Sequence, residues 1–516
     1  MATNSFYDTL KSLQEKGFFK KLIINRGIER EALRVSFDGE ISQKIHPKEL
    51  GSSLTNPYIT TDFSEALIEL VTPTFDTPEK LYDFLFNLHL FVNKHLHDEM
   101  LWNFSMPCSF KDEQEIKLAE YGSSNSGKLK NIYRRGLQSR YGSIMQCVAG
   151  IHYNFSLSKD SWLAFINKKS VSQNEININY LNLIRNLKRY YWFIAYYFGA
   201  SPLCDESFVL KRDHDLVTVG KDDVGLPHAT SLRMSEIGYQ SPIQRDLNIT
   251  YNDLSGFIDS LIEGISRPAD KFSRLGLLDR DGYPLQISDG ILQIENELYD
   301  FIRPKRKGGP GTRPATLLKK AGIEYVELRA IDINPYEYCG INIDQIKVID
   351  LVLLYCLISP SKPINNKELK QIESTNDAVI NHGRDSSCRI YVNNQELNLQ
   401  EAASSMIEDL SVLAKHMDKH STGYESSLEN IIKQKQTLSE KILSDLNKSD
   451  LSFSDFATLS SKEHFEKHNG FADNKKYNFK EAADASLSDQ VKIEGKDKID
   501  IIQYVKLYNS KIKDIR

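Results

Sequence analysis

Residues 26–35 read Arg-Gly-Ile-Glu-Arg-Glu-Ala-Leu-Arg-Val and end shortly before the turn signal Asp38-Gly39. Apolar and charged residues alternate in this stretch, which predicts a β-strand. Residues two apart on a strand share a face, so Glu29 and Glu31 point the same way, about 7 Å apart. Two carboxylates on one face repel each other. Arginine, a shared proton or a divalent cation with oxygen ligands can offset that repulsion.

The arginines of the same stretch offer the simplest offset. Arg26, Arg30 and Arg34 all lie close in sequence to the two glutamates. One interpretation is therefore a surface strand whose acids are neutralised by arginine, since structural ion-pair networks also perturb carboxyl groups. The other interpretation, a site that binds a cation, depends on what the rest of the chain supplies.

The composition describes a large globular protein. The chain has 516 residues, 40% of them hydrophobic and 26% charged, so we expect one elaborate domain or two to three smaller ones. A net charge of -5 and a pI near 6.2 give no electrostatic reason to expect a nucleic-acid partner. The sequence shows no apolar run of about 20 residues and no secretory signal pattern, so we expect no membrane association.

The cysteine pattern favours a cytoplasmic protein. The six cysteines are scattered, with no CxxC pair and no zinc-type spacing. We therefore expect buried thiols in a reducing cytoplasm.

Three further segments place polar residues on strand-like patterns. Residues 145–157 predict a strand on which His152 shares a face with other polar residues. Residues 321–335 predict another strand, on which Glu327 and Arg329 share a face and either pair with each other or line a site. Residues 58–73, which contain Asp62, Glu65 and Glu69, fit a strand or a helix, because periodicity alone does not decide between them.

Two loops have compositions that suit an anion. Residues 119–142 form a Gly–Ser loop that enters a basic helix, which either holds an anion or is an ordinary surface loop. Residues 301–311 form a basic run, with no acid between Asp300 and Glu324, which is either a solvated mobile loop or a phosphate-facing loop. The basic run does not have the residue order of a P-loop.

The remaining patterns predict the following elements: an opening helix within 5–20, a helix from Pro78 to about residue 97 capped by Thr77, an aromatic-rich helix over 178–199, a helix ending near 267, a strand over 286–299, and two helices over 397–447. Beyond about residue 365 the composition and the periodicity of the sequence change. Residues 448–516 carry no pattern to which we can assign chemistry.

Taken together, these segments suggest a phosphoryl-transfer site. Several acids with a single histidine are the ligand set of Mg²⁺ or Mn²⁺ rather than of structural zinc. Acids interleaved with arginines suit phosphoryl transfer, where the protein positions groups and neutralises charge. The sequence alone does not show that the strands meet in space.

The chain resembles the proteobacterial type of glutamate–cysteine ligase, also called γ-glutamylcysteine synthetase. The segments that carry this resemblance are RGIEREALRV (26–35), TTDFSEALIELVTP (60–73), FSMPC (104–108), AEYGSSNSGKLKNIYRRGLQSRYG (119–142), GIHYNFSL (150–157), FGASP (198–202), ATSLRMSEIGY (229–239), QIENELYDFIRPKR (293–306) and GIEYVELRAIDINP (322–335). They occur in the family's order from residue 20 to about 360. Residues after about 365 do not clearly follow the family pattern.

The resemblance implies an α+β fold like that of glutamine synthetase, with a curved antiparallel sheet that forms a funnel, surrounding helices and a helical C-terminal part. It implies a catalytic core over 1–365 and a mainly helical C-terminal extension over 366–516 that is packed on or tethered to the core. The implied reaction joins the γ-carboxylate of L-glutamate to the amine of L-cysteine, the first step of glutathione synthesis. ATP phosphorylates the γ-carboxylate, and the amine then displaces phosphate.

The resemblance also implies roles for individual residues. By motif position the ligands of Mg²⁺, for which Mn²⁺ can substitute, are Glu29, Glu31, Asp62, Glu69, His152 and Glu327. The residues implied in catalysis are Glu327 and the two cations Arg233 and Arg329, which hold the phosphoryl group or a substrate carboxylate. The implied cysteine pocket consists of Phe63, Tyr133, Tyr239 and Tyr299.

Two other enzyme classes share parts of this pattern. Another ATP-dependent ligase of the same fold, with a different amine, would keep the acids and arginines and differ around the tyrosines. A two-metal phosphohydrolase also needs clustered acids, but the overall acidity argues against a nucleic-acid substrate. For the implied ligase we expect a cytoplasmic monomer that glutathione inhibits, because that tripeptide contains the γ-glutamylcysteine unit.

Overall fold

The computed structural model describes residues 4–210, 212–309, 311–471 and 476–515. Pro310 of the predicted basic run and residues 472–475 of the C-terminal part therefore lie outside the described residues. The described strands are β1 (Ile24–Ser36), β2 (Ile59–Thr61), β3 (Leu67–Val71), β4 (Glu99–Leu101), β5 (Ile151–Leu157), β6 (Leu203–Asp205), β7 (Val217–Thr218), β8 (Asp223–Gly225), β9 (Ile302–Lys305), β10 (Tyr325–Ile331), β11 (Arg389–Val392) and β12 (Gln395–Asn398).

The main sheet is antiparallel and is built around β1. Within the described residues its order is β2-β3-β1-β5-β10-β9, and β4 pairs with the far end of β1. The register sets Glu29 opposite His152, Glu31 opposite Glu69, and Glu327 opposite Asn154. Residues 58–73 are thus strands rather than a helix. The three polar strand faces predicted from sequence become one face of a single sheet.

The arginines of β1 lie on the opposite face of the strand from its glutamates. Arg26, Arg30 and Arg34 are all buried, and they contact partners from other elements. The interpretation of residues 26–35 as an arginine-neutralised surface strand is therefore wrong. The physical reason is the two-residue period of a strand, which separates even-numbered from odd-numbered positions.

Helices pack on the sheet, and two smaller sheets, β6-β8-β7 and β11-β12, lie elsewhere in the described chain. The described helices are α1 (Asn4–Glu15), α2 (Phe18–Lys21), α3 (Pro78–Lys94), α4 (Asn125–Tyr141), α5 (Lys159–Ile166), α6 (Gln173–Phe198), α7 (Leu254–Ser266), α8 (Asp270–Ser273), α9 (Pro314–Ala321), α10 (Ile343–Ile358), α11 (Asn366–His382), α12 (Leu399–Met417), α13 (Tyr424–Ile432), α14 (Leu438–Ser449), α15 (Phe453–Asn469), α16 (Phe479–Glu494) and α17 (Ile501–Ser510). The predicted α+β class, with an antiparallel sheet faced by helices, is confirmed.

Capping side chains mark the first residues of two helices. The Thr77 side chain accepts a hydrogen bond from the backbone N–H of Lys80, and Pro78 occupies the first helical position of α3. Ser124 caps α4 in the same way through the N–H of Gly127. Among the described residues, no helix combines the length and apolarity that crossing a bilayer requires.

Two predictions about secondary structure are wrong. Residues 286–299 do not form a strand, and only a short 3-10 turn at Glu295–Glu297 is regular there. Side chains hold this segment instead, because Gln286 bonds to the carbonyls of Phe272 and Gly276 at 2.9 and 2.8 Å. The predicted pair of helices over 397–447 is in fact three helices, α12 to α14. Residues 448–516, which carried no assignment, contain α15 to α17.

Candidate active site

The cavity-facing side of the sheet brings three predicted ligands together. One ligand atom from each of Glu29, His152 and Glu327 lies within 4.8 Å of the others. His152 Nδ1 is 3.2 Å from Glu29 Oε2, and its Nε2 is 3.4 Å from Glu31 Oε1. These contacts follow from the register of β1, β5 and β10, since each residue projects from the same face. The sheet thus presents carboxylate and imidazole ligands at one place.

Neighbouring donors orient the two glutamates of β1. The Asn154 side chain donates to Glu29 Oε1 at 2.9 Å, and the backbone N–H of Gly150 donates to Glu31 Oε2 at 2.8 Å. Burial and the charge of Glu327 oppose ionisation of Glu29, yet the bond from His152 and the charge of Lys305 hold the Glu29 pKa below its ordinary value. Glu29 is therefore available as an ionised ligand.

Glu327 lies at the bottom of this cluster between two cations. Its side chain is 1% exposed, with Lys305 Nζ 3.4 Å from Oε2 and Arg329 Nη1 3.2 Å from Oε1. Burial opposes ionisation, but the charges of Lys305, Arg329 and His152 hold the Glu327 pKa well below its ordinary value. Neither carboxylate oxygen accepts a hydrogen bond from a described residue. This buried carboxylate therefore keeps lone pairs free for a cation.

Asp62 and Glu69 form a second acidic group beside the first. Burial and the charges of Glu29, Asp62 and Glu31 raise the Glu69 pKa well above its ordinary value. Arg134 donates to the backbone carbonyl of Asp62, and its Nη2 is 3.6 Å from Asp62 Oδ1. This face of the sheet carries more acid than its own cations neutralise, which is the condition that a divalent cation relieves.

Arg233 lies in the segment 229–239 and lines the cavity. It is 1% exposed, and its guanidinium donates to the carbonyls of Arg329 and Ile331 at 3.1 and 3.4 Å. Asp332 lies 3.7 Å away. The guanidinium packs directly against Gly150, where an added Cβ would lie 2.0 Å from Arg233 Nη2. Glycine is required at position 150 for this close approach.

The tyrosines lie together at another part of the cavity. Tyr239 and Tyr299 meet edge to face with ring centres 4.7 Å apart, and Tyr133 lines the same cavity. Arg329 donates to the Tyr239 hydroxyl at 2.8 Å, and Gln146 donates to the Tyr299 hydroxyl at 3.0 Å. Burial and the nearby tyrosines raise the Tyr299 pKa well above its ordinary value, so this hydroxyl stays protonated.

The structure does not bring Phe63 to the cavity. Its side chain is 1% exposed within the hydrophobic core, whereas its neighbour Asp62 lines the cavity. Both residues follow β2, which ends at Thr61, and the chain bends at Phe63, whose ring packs in the core. Of the predicted pocket residues, the three tyrosines are together and Phe63 is apart.

The cavity has a volume of about 920 Å³ and includes residues that sequence reasoning missed. Arg303 and Lys305 line it from β9, so residues 302–305 of the basic run are a strand facing the cavity and not a mobile loop. Lys130 of α4 also lines it, and burial together with Arg134 lowers the Lys130 pKa to about 8. In the sequence these three residues are recognisable only as members of basic segments, because the sequence does not show which way their side chains point.

The loop after β9 and the first turn of α4 also border the cavity. The glycine loop (Gly308, Gly309, Gly311 and Thr312) follows β9, and Ser126 lies at the start of α4. Residues of α16 and α17 complete the wall, although no pattern in their sequence indicated it. The cavity therefore collects side chains from the first strand of the sheet and from the last two helices.

Comparisons with known proteins agree with this geometry. A sequence model of the glutamate–cysteine ligase family matches residues 8–379. Glutamate–cysteine ligase of Pseudomonas putida is 39% identical over 497 residues, which cover 94% of this chain and 94% of that protein. That of Hahella chejuensis is 44% identical over 403 residues, or 77% of each chain. The chain belongs to the glutamate–cysteine ligase family. The predicted family and the predicted ligase class of enzyme are confirmed.

Solved structures support the same assignment. The crystal structure of glutamate–cysteine ligase from Francisella tularensis in complex with AMP superposes with a TM-score of 0.90 at 34% identity, over 96% of this chain and 100% of that one. A bifunctional glutathione synthetase from Pasteurella multocida shares the fold, with a TM-score of 0.65 at 21% identity, over 89% of this chain and 53% of that one. The family model ends at residue 379, whereas this superposition covers 96% of the chain, so much of the C-terminal part has a structural counterpart in that ligase.

Proposed function

We propose that the cavity joins the γ-carboxylate of L-glutamate to the amine of L-cysteine, with ATP as the phosphoryl donor and γ-glutamyl phosphate as the intermediate. The observation that carries this proposal is the single sheet face on which Glu29, His152 and Glu327 converge beside Arg329 and Lys305. Membership of the glutamate–cysteine ligase family supports the choice of substrates.

A divalent cation fits the residues on this face. Glu327 has two carboxylate oxygens without a hydrogen-bond donor among the described residues, and the negative charges of Glu29, Asp62 and Glu31 add to burial in raising the Glu69 pKa. We propose that the residues that hold Mg²⁺, or Mn²⁺ in its place, are Glu29, Glu31, Asp62, Glu69, His152 and Glu327. When bound, the metal neutralises charge on the phosphate oxygens. All of these residues have hard oxygen or imidazole donors, which suits this choice.

In the first step the γ-phosphoryl group of ATP passes to an oxygen of the glutamate γ-carboxylate, and ADP leaves. Negative charge spreads over the transferring oxygens, so fixed cations that already point at them lower the barrier. Arg329 and Arg233 are held in place by the Tyr239 hydroxyl and by backbone carbonyls. We assign them to this clamp because their orientation needs no change during the reaction.

In the second step the neutral cysteine amine attacks the acyl carbon, phosphate leaves, and one proton is released from the amine. Tyr133, Tyr239 and Tyr299 would hold the acceptor amino acid, with hydroxyls toward its carboxylate and ring faces beside its short side chain. Such a pocket selects by size through apolar walls and a few placed polar groups. The protonated Tyr299 hydroxyl is able to donate to a carboxylate.

Phosphate release tests the proposal. Wild-type protein with Mg²⁺ and ATP should release phosphate only when L-glutamate and an amine are both present. L-2-aminobutyrate, which matches cysteine in size but has no thiol, should replace cysteine. Release with glutamate alone would indicate a glutamyl-phosphate former with another acceptor. Release with neither amino acid would indicate a phosphohydrolase, and no release would contradict both.

Regulation, assembly and location are part of the same proposal. Glutathione contains the γ-glutamylcysteine unit of the product, so we propose that it inhibits by occupying the amino-acid part of the cavity. The six cysteines are all buried and free of disulfides, which suits a reducing cytoplasm. We propose a monomeric cytoplasmic enzyme. Light scattering after gel filtration tests the monomer, and inhibition that rising glutamate relieves tests the site of glutathione.

A further inference from the structure

Arg233 and Arg329, the two cations of the phosphoryl clamp, lie beside the same aromatic ring. Their guanidinium carbons are 5.8 and 5.6 Å from the centre of the Tyr239 ring. Two buried like charges repel each other, so each needs a counter-charge and a fixed position. For Arg329 the counter-charge is Glu327, at 3.2 Å. For Arg233 it is a different carboxylate, that of Asp332.

Asp332 is a buried residue that follows directly after β10. Its Oδ2 accepts hydrogen bonds from the backbone N–H of Ala200 at 2.8 Å and from the Ser201 hydroxyl at 2.6 Å. Its Oδ1 accepts no hydrogen bond from a described residue and lies 3.7 Å from Arg233 Nη1. One oxygen thus anchors the carboxylate to the segment after α6, and the other lies near the guanidinium.

Ser201 connects Asp332 to the backbone of Arg233. The Ser201 hydroxyl, which donates to Asp332, also accepts a hydrogen bond from the backbone N–H of Arg233 at 3.3 Å. The Ser201 carbonyl accepts from the N–H of Leu232 at 2.6 Å. Asp332 therefore acts on Arg233 in two ways, through the charge of the guanidinium and through the position of the backbone.

An irregularity in β10 supplies further acceptors for Arg233. Between Leu328 and Ile331 the register with β5 shifts, so that β10 carries one extra residue there. Such β-bulges are common next to active sites, where they redirect a side chain. The carbonyls of Arg329 and Ile331 both accept from the Arg233 guanidinium. These carbonyls orient the guanidinium without neutralising it, and among the described residues only Asp332 places a carboxylate within 4 Å of it.

We propose that Asp332 is a positioning residue for phosphoryl transfer. It holds Arg233 in place by supplying the buried counter-charge and by fixing the Ser201 hydroxyl beside the arginine backbone. Arg233 Nε has no hydrogen-bond partner in the described chain, so part of the hydrogen-bonding capacity of this cation remains for a substrate oxygen. A cation held in advance lowers the barrier, because it needs no rearrangement as charge develops. This inference rests on the proposed function.

A double-mutant cycle between Asp332 and Arg233, measured as the kcat of phosphate release, tests the inference. We expect Asp332→Asn to lower kcat about 30-fold and Arg233→Met to lower it about 300-fold. The double variant should equal Arg233→Met within about three-fold, because Asp332 acts through this arginine. The KM for cysteine should stay within about two-fold of wild type, since the tyrosine pocket keeps its contacts.

Two further variants separate positioning from stability. Asp350→Asn is the matched control, because it removes the carboxylate of another buried ion pair, the one with Arg26, and should lower the urea midpoint without lowering kcat. Ser201→Ala keeps the charge of Asp332 and removes only the hydroxyl between it and the Arg233 backbone. It should lower kcat about five-fold, the effect of one neutral hydrogen bond, and it replaces Asp332→Asn in the cycle if that variant does not fold.

The outcomes separate this inference from the proposed function. Wild-type kcat in Asp332→Asn would overturn the inference, and so would losses that multiply in the double variant, because they would show that Asp332 supports the structure independently of Arg233. The cycle follows phosphate release itself. It therefore applies equally to a wild type that releases phosphate without an amine or without either amino acid, results that would contradict the proposed function alone. A wild type that releases no phosphate would overturn both.

Discussion

The two faces of β1 carry charge in opposite ways. On the rear face, Arg26 bonds to Asp350 at 2.7 Å and Arg34 bonds to Glu99 at 2.8 Å, so these buried cations each have a carboxylate. On the cavity face, Glu29 and Glu31 lie among further acids, and Glu69 opposite Glu31 has a raised pKa. Arg30, the third buried arginine of this face, donates to the Asn103 side chain at 2.9 Å rather than to a carboxylate. The two ion pairs on this face stabilise the fold. Incomplete pairing on the other face leaves ligand positions for substrates.

The largest effect is expected on the rear face. Arg26→Ala leaves Asp350 buried without its cation, which should lower the free energy of unfolding by about 3–5 kcal/mol. Urea titration followed by circular dichroism measures this loss. The double variant Arg26→Met with Asp350→Leu should recover most of it, because no charge remains buried. An equal loss in the double variant would show that the ion pair is not the cause.

On the cavity face the expected loss is in activity. Glu327→Gln should lower kcat by about 100- to 1,000-fold, or ~3–4 kcal/mol, and shift the urea midpoint less than Arg26→Ala does, because the charged neighbours of its carboxylate, Lys305 and Arg329, line the cavity. Steady-state phosphate release measures kcat. Glu65→Gln is the matched control, since the Glu65 carboxylate accepts backbone N–H groups from His46 and Glu120. That variant should lose stability while kcat holds, and wild-type turnover in Glu327→Gln would contradict the assignment.

Asp223 and Asp205 form a second pair of acidic residues, which lies outside the cavity. Burial raises the pKa of Asp223 to about 6, with Asp205 adding to the rise, although the N–H of Phe453 at the start of α15 favours the charged form. A folded-state pKa above the unfolded one means that stability is highest at low pH. It should therefore fall by about 2 kcal/mol as pH rises from about 4 to 6.

Asp223→Asn should remove this pH dependence of unfolding, measured by urea titration at several pH values. The exposed neighbour Asp222→Asn should keep it. Equal pH dependence in the wild type and in Asp223→Asn would show that Asp223 remains charged in the folded protein.

The smallest effect concerns the tyrosines. Tyr299→Phe removes a hydroxyl that we assign to the cysteine carboxylate, so the KM for cysteine should rise about 10-fold, or ~1.4 kcal/mol, with the KM for ATP within two-fold. Initial rates over both substrates give the two constants. Tyr141→Phe is the control, because Tyr141 touches the Tyr299 ring but does not line the cavity. An equal rise in both KM values would remove Tyr299 from the cysteine pocket.

The sequence predicted the sheet residues of the site well. Because side chains alternate between the two faces of a strand, the sequence alone puts Glu29 and Glu31 on one face, and Glu327 and Arg329 on one face. Asp62 and Phe63 lie beyond the end of β2, where the strand period does not apply, and motif position alone did not reveal that Asp62 lines the cavity while Phe63 packs in the core. Strand pairing then brings the faces together, which no local pattern can show, because register depends on the whole sheet.

The irregular and C-terminal parts were predicted least well. The apolar residues of 286–299 are divided between two different clusters, and side-chain bonds from Gln286 replace a strand ladder. Lys305 could be recognised as part of a basic run, but its direction depends on pairing between β9 and β10. α17 packs against Arg313, which lies nearly 200 residues earlier in the chain. No local pattern in the sequence predicts a contact between residues so far apart.

The shared cavity wall of β1 and α17 has a consequence for synthesis of the protein on the ribosome. Translation at about 5–20 residues per second separates the appearance of Glu31 from that of Tyr508 by roughly 25–95 seconds. During that interval the acidic strand has left the ribosome, but the cavity still lacks its aromatic wall. A nascent chain in this state is open on the side where α17 will dock. Catalytic competence should therefore arrive abruptly and late, with the release of the last helices rather than with the folding of the sheet.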